Sequence, residues 1–268
     1  MSSTRKVPGA IPAFFSAVLL LASVPAGAQR LRVAFVGDPQ VDSDTDLSYA
    51  RKTVYAELRN RKDVDLAIFL GDVVNDRMDL LAPSRACLDS LPFPWACVPG
   101  NHDRDPVRDG QPRNMVSYSC IFGAPDTTFV RGGVRFILMD DVRLQGKGGY
   151  EAGFREDQKA WLSEVLTRTP QELLTVLSAH IPFSEFRALD SLGRILSIHP
   201  KLLLMSAHTH TMARHQLVFP GGLSVEEVLT GASCGSWWRT GCTTSGSPRA
   251  GPTSGRRPSS ATTCSTAS

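Results

Sequence analysis

The sequence predicts an α/β layered domain, in which short strands alternate with helices. Short apolar runs recur along the body of the chain, and between them lie stretches that are apolar on one side only. Hydrophobic residues make up 42% of the 268 residues and charged residues 21%, which is typical of a protein with a sizeable buried core. This composition excludes a coiled coil, a collagen-like fibre and a chain that is disordered throughout.

The elements of this domain follow from the apolar runs. Strands are predicted at residues 31–36, 66–70, 95–98, 134–139, 173–178 and 202–206. Helices are predicted at residues 47–59, 78–90 and 156–167. Two segments rich in turn-forming residues, 111–128 and 141–154, are predicted as long loops. Long loops on a layered domain are frequent sites of substrate contact.

The N-terminal residues 1–28 have the pattern of an export signal peptide. Arg5 and Lys6 give a positive start, an apolar stretch covers residues 11–24, and a small-residue cleavage site follows. An uncleaved anchor is the alternative, but the apolar stretch is short for a membrane span. We therefore expect a mature chain that starts near Gln29, in the periplasm or outside the cell, with no stable membrane span after cleavage.

The C-terminal residues 239–268 consist mostly of Ser, Thr, Gly and Pro, and they contain none of the larger aliphatic residues. Such a segment has no apolar surface to offset its ordering entropy, so it is predicted to be disordered. It is either a natural tail or the product of out-of-frame translation. We favour the second explanation, because the preceding domain, residues 29–238, looks unfinished where the tail begins.

Charge and cysteine content narrow the functional classes. The chain has 29 Lys and Arg against 26 Asp and Glu, and without the basic residues of its two ends the body is mildly acidic. No binding to a nucleic-acid polymer is expected from such a surface. The six cysteines lack the C-x-x-C spacing of a zinc ribbon or redox pair. In an exported chain Cys87 and Cys97 could form a disulfide or remain buried thiols.

Side chains that suit a metal follow five of the predicted strands. They stand in the blocks Gly37-Asp38-Pro39-Gln40, Gly71-Asp72, Gly100-Asn101-His102-Asp103, Ala179-His180 and Ala207-His208-Thr209-His210. The carboxyl ends of strands in an α/β sheet meet at one crevice, so these side chains are expected to lie together. Asp and Asn oxygens favour Mn or Fe, and imidazoles also admit Zn. Two such ions that share a carboxylate clamp a phosphate and activate a water molecule.

These blocks resemble, in order, those of the calcineurin-like metallophosphoesterases. That family reads approximately Asp-x-His, Gly-Asp, Gly-Asn-His-Asp/Glu, a lone His after a strand, and Gly-His-x-His, and the similarity covers about residues 32–238. The resemblance implies a four-layer α/β/β/α sandwich of two stacked mixed sheets flanked by helices. It also implies a site for two divalent metal ions between the sheets.

The resemblance assigns a role to each matching residue. Asp72 would bridge the two ions, and His102 would contact the substrate phosphate and act as general acid, with its imidazole oriented by Asp103. The remaining ligands would be Asp38 and His210 for one ion, and Asn101, His180 and His208 for the other.

The sequence departs from the family pattern at two positions. Gln40 stands where the family usually has His, and Ala207 replaces the usual Gly. We include Gln40 among the metal ligands because its carbonyl oxygen can coordinate, although more weakly than an imidazole. We therefore expect a site that prefers Mn or Fe to Zn. Some branches of the family that act on nucleotide-type diphosphates or phosphodiesters are similar at this position.

The leading hypothesis is metal-dependent hydrolysis of phosphodiesters, with small nucleotide or glycerol-type substrates. Two alternatives remain: a phosphomonoesterase or protein phosphatase that uses the same site, and a truncated remnant without catalytic activity. Trp237 and Trp238 could stack on a base or sugar, but packing is the preferred interpretation. His199 and His215 lie outside any motif and are expected to be structural or on the surface.

Overall fold

Two β-sheets form the centre of the computed structural model, which describes residues 30–105, 115–145 and 149–234. The helices are α1 (Asp44–Lys52), α2 (Val54–Asn60), α3 (Leu81–Asp89), α4 (Val116–Phe122), α5 (Glu156–Arg168) and α6 (Leu189–Leu196). The first strands are β1 (Val33–Val36), β2 (Leu66–Phe69), β3 (Trp95–Cys97), β4 (Thr127–Arg131) and β5 (Val134–Leu138). The later strands are β6 (Val142–Gln145), β7 (Gly149–Ala152), β8 (Leu174–Ser178), β9 (Leu202–Ser206), β10 (Ala213–Val218) and β11 (Ser224–Leu229). The predicted signal peptide, the tail at 239–268, Trp237 and Trp238 lie outside the described residues.

The two sheets differ in strand direction. β1, β2 and β3 form a parallel sheet, whereas the second sheet is mixed, with the order β10-β11-β9-β8-β5-β4. In this second sheet β4 and β10 pair antiparallel with their neighbours and the inner pairs are parallel. After β11 the chain returns to the first sheet, where Ala232 forms a parallel bridge to Gly37.

Alternating side chains of the strands pack into three separate apolar clusters. Val33 and Phe35 of β1 share a buried cluster with Phe136 and Met205 of the second sheet, so the two sheets pack face to face. The opposite face of the first sheet packs against α1 to α4, and that of the second sheet packs against α5 and α6. The order of layers is helix, sheet, sheet, helix. The expected four-layer sandwich is therefore confirmed.

Several local predictions were wrong. The helix predicted at 47–59 is two helices, α1 and α2, which meet at Thr53, where φ is −114° and ψ is −90°. The predicted loop at 111–128 contains α4, and the predicted loop at 141–154 contains the β6–β7 hairpin. These segments are short and rich in polar or turn-forming residues, so their periodicity is too weak to reveal them.

β10 and β11 were also missed. Most of β10 is exposed at the edge of its sheet, so it lacks the apolar run of a buried strand. Cys87 and Cys97 are free thiols, as is Cys120. In the described ranges no helix combines the length and the apolar character that crossing a membrane requires.

Candidate metal centre

Strained backbone marks the candidate site. Six non-glycine residues in the described part of the chain have positive φ, and all lie in the loops that follow β1, β2 and β9: Asp38 (46°), Gln40 (43°), Asp72 (50°), Asp76 (59°), His208 (63°) and His210 (57°). The left-handed region costs an L-residue roughly 1–2 kcal/mol, and such strain concentrates at functional sites. Five of the six are predicted metal ligands, so the fold retains an unfavourable backbone at the positions where the predicted chemistry lies.

Four of the predicted ligands converge on one point. Nε2 of His180 lies 3.3 Å from Oδ2 of Asp72, 3.0 Å from Oδ1 of Asn101 and 3.1 Å from Nδ1 of His208. Ligand atoms of Asp72, His180 and His208 all lie within 4.8 Å of one another. These side chains come from loops after strands of both sheets, so the group forms only where the two sheets stack.

The hydrogen bonds of His180 determine what it presents to this point. Its Nδ1 lies 2.8 Å from the carbonyl oxygen of Leu70, an acceptor, so we assign the proton of the neutral ring to Nδ1. Nε2 then carries a lone pair. That lone pair faces the carboxylate of Asp72 and the amide oxygen of Asn101, which are acceptors as well. Acceptors that face one another in this way are satisfied either by a proton on Nε2 or by a cation between them.

Asp38, Gln40 and His210 form a second group. Asp38 is completely buried, and no described donor makes a hydrogen bond to either of its carboxylate oxygens. The amide oxygen of the buried Gln40 also has no donor, while its Nε2 donates to Asn75 over 3.4 Å. Nε2 of His210 lies 3.7 Å from Oδ1 of Asp38. Buried oxygens without donors are costly in a protein interior, and coordination to a metal would satisfy them.

The two groups are joined through the backbone. The amide N–H of Gln40 donates to the carbonyl oxygen of Asp72 over 2.7 Å, so the loops after β1 and β2 are held together. Asp72 is therefore linked through its backbone to the loop that carries Asp38, while its carboxylate faces His180; the sharing of that carboxylate by two ions stays a prediction. The residues present fit two divalent ions, because oxygen and imidazole donors predominate and the buried acceptors lack partners.

Electrostatics also favour a cation at this position. Burial raises the pKa of Asp38 well above its usual value, and the nearby carboxylate of Asp72 adds to the effect. Burial and the proximity of His180 lower the pKa of His208 to about 4, so His208 is neutral at pH 7. Burial also lowers the pKa of His180, but Asp72 and other carboxylates outweigh it and raise the pKa to about 10. A bound metal would replace this proton as the positive charge.

His102 lies at the open side of the site, with 30% of its side chain exposed. Its Nδ1 is 3.1 Å from Oδ2 of Asp76. Burial lowers the pKa of His102, but Asp76 and Asp72 outweigh burial and raise the pKa above its usual value. The protonated form of His102 is therefore favoured, as a general acid requires.

Asp103 has a different place from the one expected. It is completely buried, and its two oxygens accept hydrogen bonds from the backbone N–H groups of Val74 and Gly100, at 3.1 and 2.9 Å. The carboxylate beside the His102 imidazole is Asp76. Asp103 thus ties the loop after β3 to the loop after β2, because its oxygens are directed at backbone amides instead of the imidazole.

Gly71 and Gly100 permit the close approach of the two loops. A Cβ at Gly100 would lie 2.0 Å from Oδ1 of Asp72, and one at Gly71 would lie 2.6 Å from Nδ1 of His180. Gly71 also has φ of +89°, which other residues rarely adopt. Both glycines are therefore required by packing, and Gly71 is also required by its backbone conformation.

Two polar contacts of the site were missed from sequence. The carboxylate of Asp141 accepts hydrogen bonds from the backbone N–H groups of His180 and Ile181, at 3.2 and 2.8 Å. The hydroxyl of Tyr150 lies 3.2 Å from Nε2 of His208. Both residues lie in the predicted loop 141–154. No motif surrounds them, and the loop's high content of turn residues was the only available signal.

The model of the calcineurin-like phosphoesterase family matches residues 31–212, which is more than half of the chain. The chain belongs to the calcineurin-like phosphoesterase family. Membership supports metal-dependent hydrolysis of phosphoesters in general, and the group formed by Asp72, His180 and His208 is a candidate metal site within the matched range. Among curated proteins none matches this chain significantly.

Two solved structures match most of this chain at low sequence identity. The phosphopantetheinyl hydrolase PptH from Mycobacterium tuberculosis is 14% identical, with a TM-score of 0.38, and the match covers 75% of this chain and 90% of that chain. Vps29 from Chaetomium thermophilum is 13% identical, with a TM-score of 0.31, and the match covers 75% of this chain and 70% of that chain.

Proposed function

We propose that this chain hydrolyses phosphoesters with the help of two divalent metal ions held between the sheets. The observation that carries the proposal is the convergence of acceptors around Nε2 of His180, with Asp72, Asn101 and His208 all within 3.3 Å of it. Asp38, Gln40 and His210 would hold the second ion, and Asp72 would be shared. When bound, such ions polarise a phosphoryl oxygen and lower the pKa of a coordinated water molecule.

The chain's own acid in this reaction would be His102. Its imidazole is partly exposed at the site, and Asp76 and Asp72 favour its protonated form. As the bond from phosphorus to the leaving oxygen breaks, His102 would give that oxygen a proton, so that an alcohol leaves instead of an alkoxide. The ion pair with Asp76 would hold the ring in place and stabilise its charge before transfer.

We propose small phosphodiesters of nucleotide or glycerol type as substrates, and Mn or Fe as the metals. Gln40 supports both proposals. Its carbonyl oxygen, buried and without a donor, offers an oxygen ligand where the family usually has an imidazole, and oxygen ligands favour Mn or Fe over Zn. Some branches of the family that act on nucleotide-type diphosphates or phosphodiesters are also similar at this position.

We further propose that the protein is exported to the periplasm or secreted. The support is the pattern at the N-terminus, in which a positive start, an apolar stretch and a small-residue cleavage site follow one another. Fractionation of cells that produce the full chain, with N-terminal sequencing of the product, tests this proposal. A product that starts at Met1 and remains in the cytoplasm would contradict it.

The enzymatic test uses the purified full chain after removal of metals with a chelator. Hydrolysis of bis(p-nitrophenyl) phosphate and of p-nitrophenyl phosphate is followed while Mn²⁺, Fe²⁺ or Zn²⁺ is added. We expect metal-dependent turnover that is greater with the diester and with Mn²⁺ or Fe²⁺. Greater turnover of the monoester would favour the phosphomonoesterase instead.

Two variants show whether turnover comes from this site. Asn101→Ala removes one of the converging oxygens and should abolish most of the metal-dependent rate. Asp190→Asn is the control, because Asp190 is 67% exposed on α6 and forms an ion pair with Arg194 of the same helix. Well-folded protein that binds Mn²⁺ but hydrolyses neither ester would support the non-catalytic remnant.

A further inference from the structure

His208 has two ring nitrogens, and each faces a different partner. Nδ1 faces Nε2 of His180 at 3.1 Å, inside the group of converging ligands. Nε2 faces the hydroxyl of Tyr150 at 3.2 Å, on the outer side of the ring. For Nδ1 to serve as a ligand, the proton of the neutral imidazole must be on Nε2.

The hydroxyl of Tyr150 is well placed to accept a hydrogen bond from the N–H at Nε2 of His208. Its ring meets the ring of His208 edge to face, with the centroids 5.8 Å apart and an interplanar angle of 84°. A phenol oxygen accepts a hydrogen bond from an imidazole N–H, and this bond would stabilise the tautomer with the proton on Nε2. His180 is arranged in the same way, because the carbonyl oxygen of Leu70 accepts from its Nδ1 and leaves Nε2 for the site.

The β6–β7 hairpin sets the position of Tyr150. Glu151, the next residue, forms ion pairs of 3.3 Å with Arg143 across the hairpin and with Arg187 outside it. At the base of the hairpin the N–H of Gly153 donates to the carbonyl oxygen of Asp141 over 2.9 Å. The carboxylate of Asp141 in turn holds the backbone of His180. One segment thus contacts both His180 and His208.

We propose that Tyr150 is a positioning residue, whose hydroxyl accepts a hydrogen bond from Nε2 of His208 and so directs the lone pair of Nδ1 into the metal centre. The inference rests on the proposed function for its purpose, but the tautomer of His208 is a property of the chain itself. Partners of this kind typically change metal affinity by about 10–100-fold when they are removed.

The test compares the wild type with Tyr150→Phe, which keeps the aromatic ring and removes the hydroxyl. Long-range ¹H–¹⁵N correlation spectra of the metal-free full chain report the His208 tautomer, with His208→Gln used to assign its signals. We expect the wild type to hold the proton on Nε2 and Tyr150→Phe to populate both tautomers. Competition with a chromophoric chelator should show Mn²⁺ affinity reduced by roughly tenfold or more in Tyr150→Phe.

Tyr49→Phe is the control, because Tyr49 is an exposed tyrosine on α1, with 46% exposure close to the 43% of Tyr150. It should change neither readout. A wild-type proton on Nδ1 of His208, or unchanged tautomer populations and Mn²⁺ affinity in Tyr150→Phe, would overturn the inference. If the wild type binds no Mn²⁺, the proposed function fails, and the tautomer comparison alone decides the role of Tyr150.

Discussion

The backbone N–H of His102 donates a hydrogen bond to Oδ1 of Asp72 over 2.9 Å. The other oxygen of the same carboxylate, Oδ2, lies 3.3 Å from Nε2 of His180. One side chain therefore fixes the loop that carries the proposed acid and also faces the proposed metal ligands. The arrangement is possible because β2 and β3 are parallel neighbours, so the loops that follow them emerge side by side.

The double role of Asp72 leads to the first prediction. Asp72→Asn keeps an oxygen that can accept from the N–H of His102, but it removes the negative charge that two cations would share. We expect Mn²⁺ bound per chain to fall from two to one or none, and hydrolysis of the diester to fall more than about 100-fold, beyond the loss caused by an outer partner. Metal analysis after gel filtration measures the bound Mn²⁺, and steady-state kinetics measure the hydrolysis of the diester. Asp79→Asn, on an exposed aspartate paired with Arg77, should leave both unchanged.

The pair of His102 and Asp76 predicts a shift in pH dependence. Burial lowers the pKa of His102, but Asp76 and Asp72 raise it above 6.5, and activity that requires the protonated ring is lost as pH rises through this pKa. Asp76→Asn removes one of the raising charges, and Asn tolerates the positive φ of this position. The alkaline limb of the kcat profile should therefore move to lower pH, measured with an alkyl leaving group that needs protonation. If the alkaline limb does not move in Asp76→Asn, it reports the titration of a group other than His102.

Metal preference should depend on Gln40. Gln40→His supplies an imidazole where the chain now has an amide oxygen, and imidazoles admit Zn more readily than amides do. We expect the ratio of Zn²⁺ to Mn²⁺ affinity to rise, as measured by chelator competition on the metal-free chain. Gln216→His, on the exposed edge strand β10, is the control for an added histidine. Unchanged affinities for both metals in Gln40→His would show that this position is not a ligand.

The close approach at Gly100 predicts a large effect of a small substitution. A Cβ there would lie 2.0 Å from Oδ1 of Asp72, so Gly100→Ala must displace the loop after β3 or the carboxylate. Overpacking of this kind typically costs about 1–3 kcal/mol of unfolding free energy. Urea unfolding measures the loss, and Mn²⁺ binding should weaken as well. Gly149→Ala is the matched control, because a Cβ at Gly149 would meet nothing within 4 Å.

Removal of the metals should make the protein sensitive to alkaline pH. Burial raises the pKa of Asp141 from 3.8 to about 8. For His180, burial acts to lower the pKa, but nearby carboxylates raise it from 6.5 to about 10. Both folded-state values exceed the unfolded ones, so their contributions to stability are lost as pH rises through 8 and 10. The melting temperature of the chelator-treated protein should therefore fall between pH 6.5 and 10.

Added Mn²⁺ should oppose this fall, because metal binding requires His180 to be deprotonated. The pKa of His208 shifts in the opposite direction, from 6.5 down to about 4. The contribution of His208 to stability therefore changes only below this pH range. A melting temperature that rises towards pH 10 without metal would contradict the assigned directions for Asp141 and His180. The comparison uses the full chain with and without Mn²⁺ in the same buffers.

The residue types of the candidate centre and the order of the strands that carry them could be predicted from the sequence alone. Asp38, Asp72, Asn101, His180 and His208 each follow an apolar run, and the carboxyl ends of strands in an α/β fold gather at one place. These inferences depend only on local sequence and on a general rule of topology. For that reason they required no knowledge of how the side chains finally pack.

Which side chains meet within that centre depends on the packing of the two sheets and could not be predicted from the sequence. Asp76 lies beside the imidazole of His102 where Asp103 was expected, because the left-handed turn after β2 directs its carboxylate there. Tyr150 meets His208 across a separation of 58 residues, through a hairpin whose polar strands have no clear periodicity. Such contacts depend on the stacking of two sheets and the course of loops between them, and no local pattern in the sequence specifies distances of that kind.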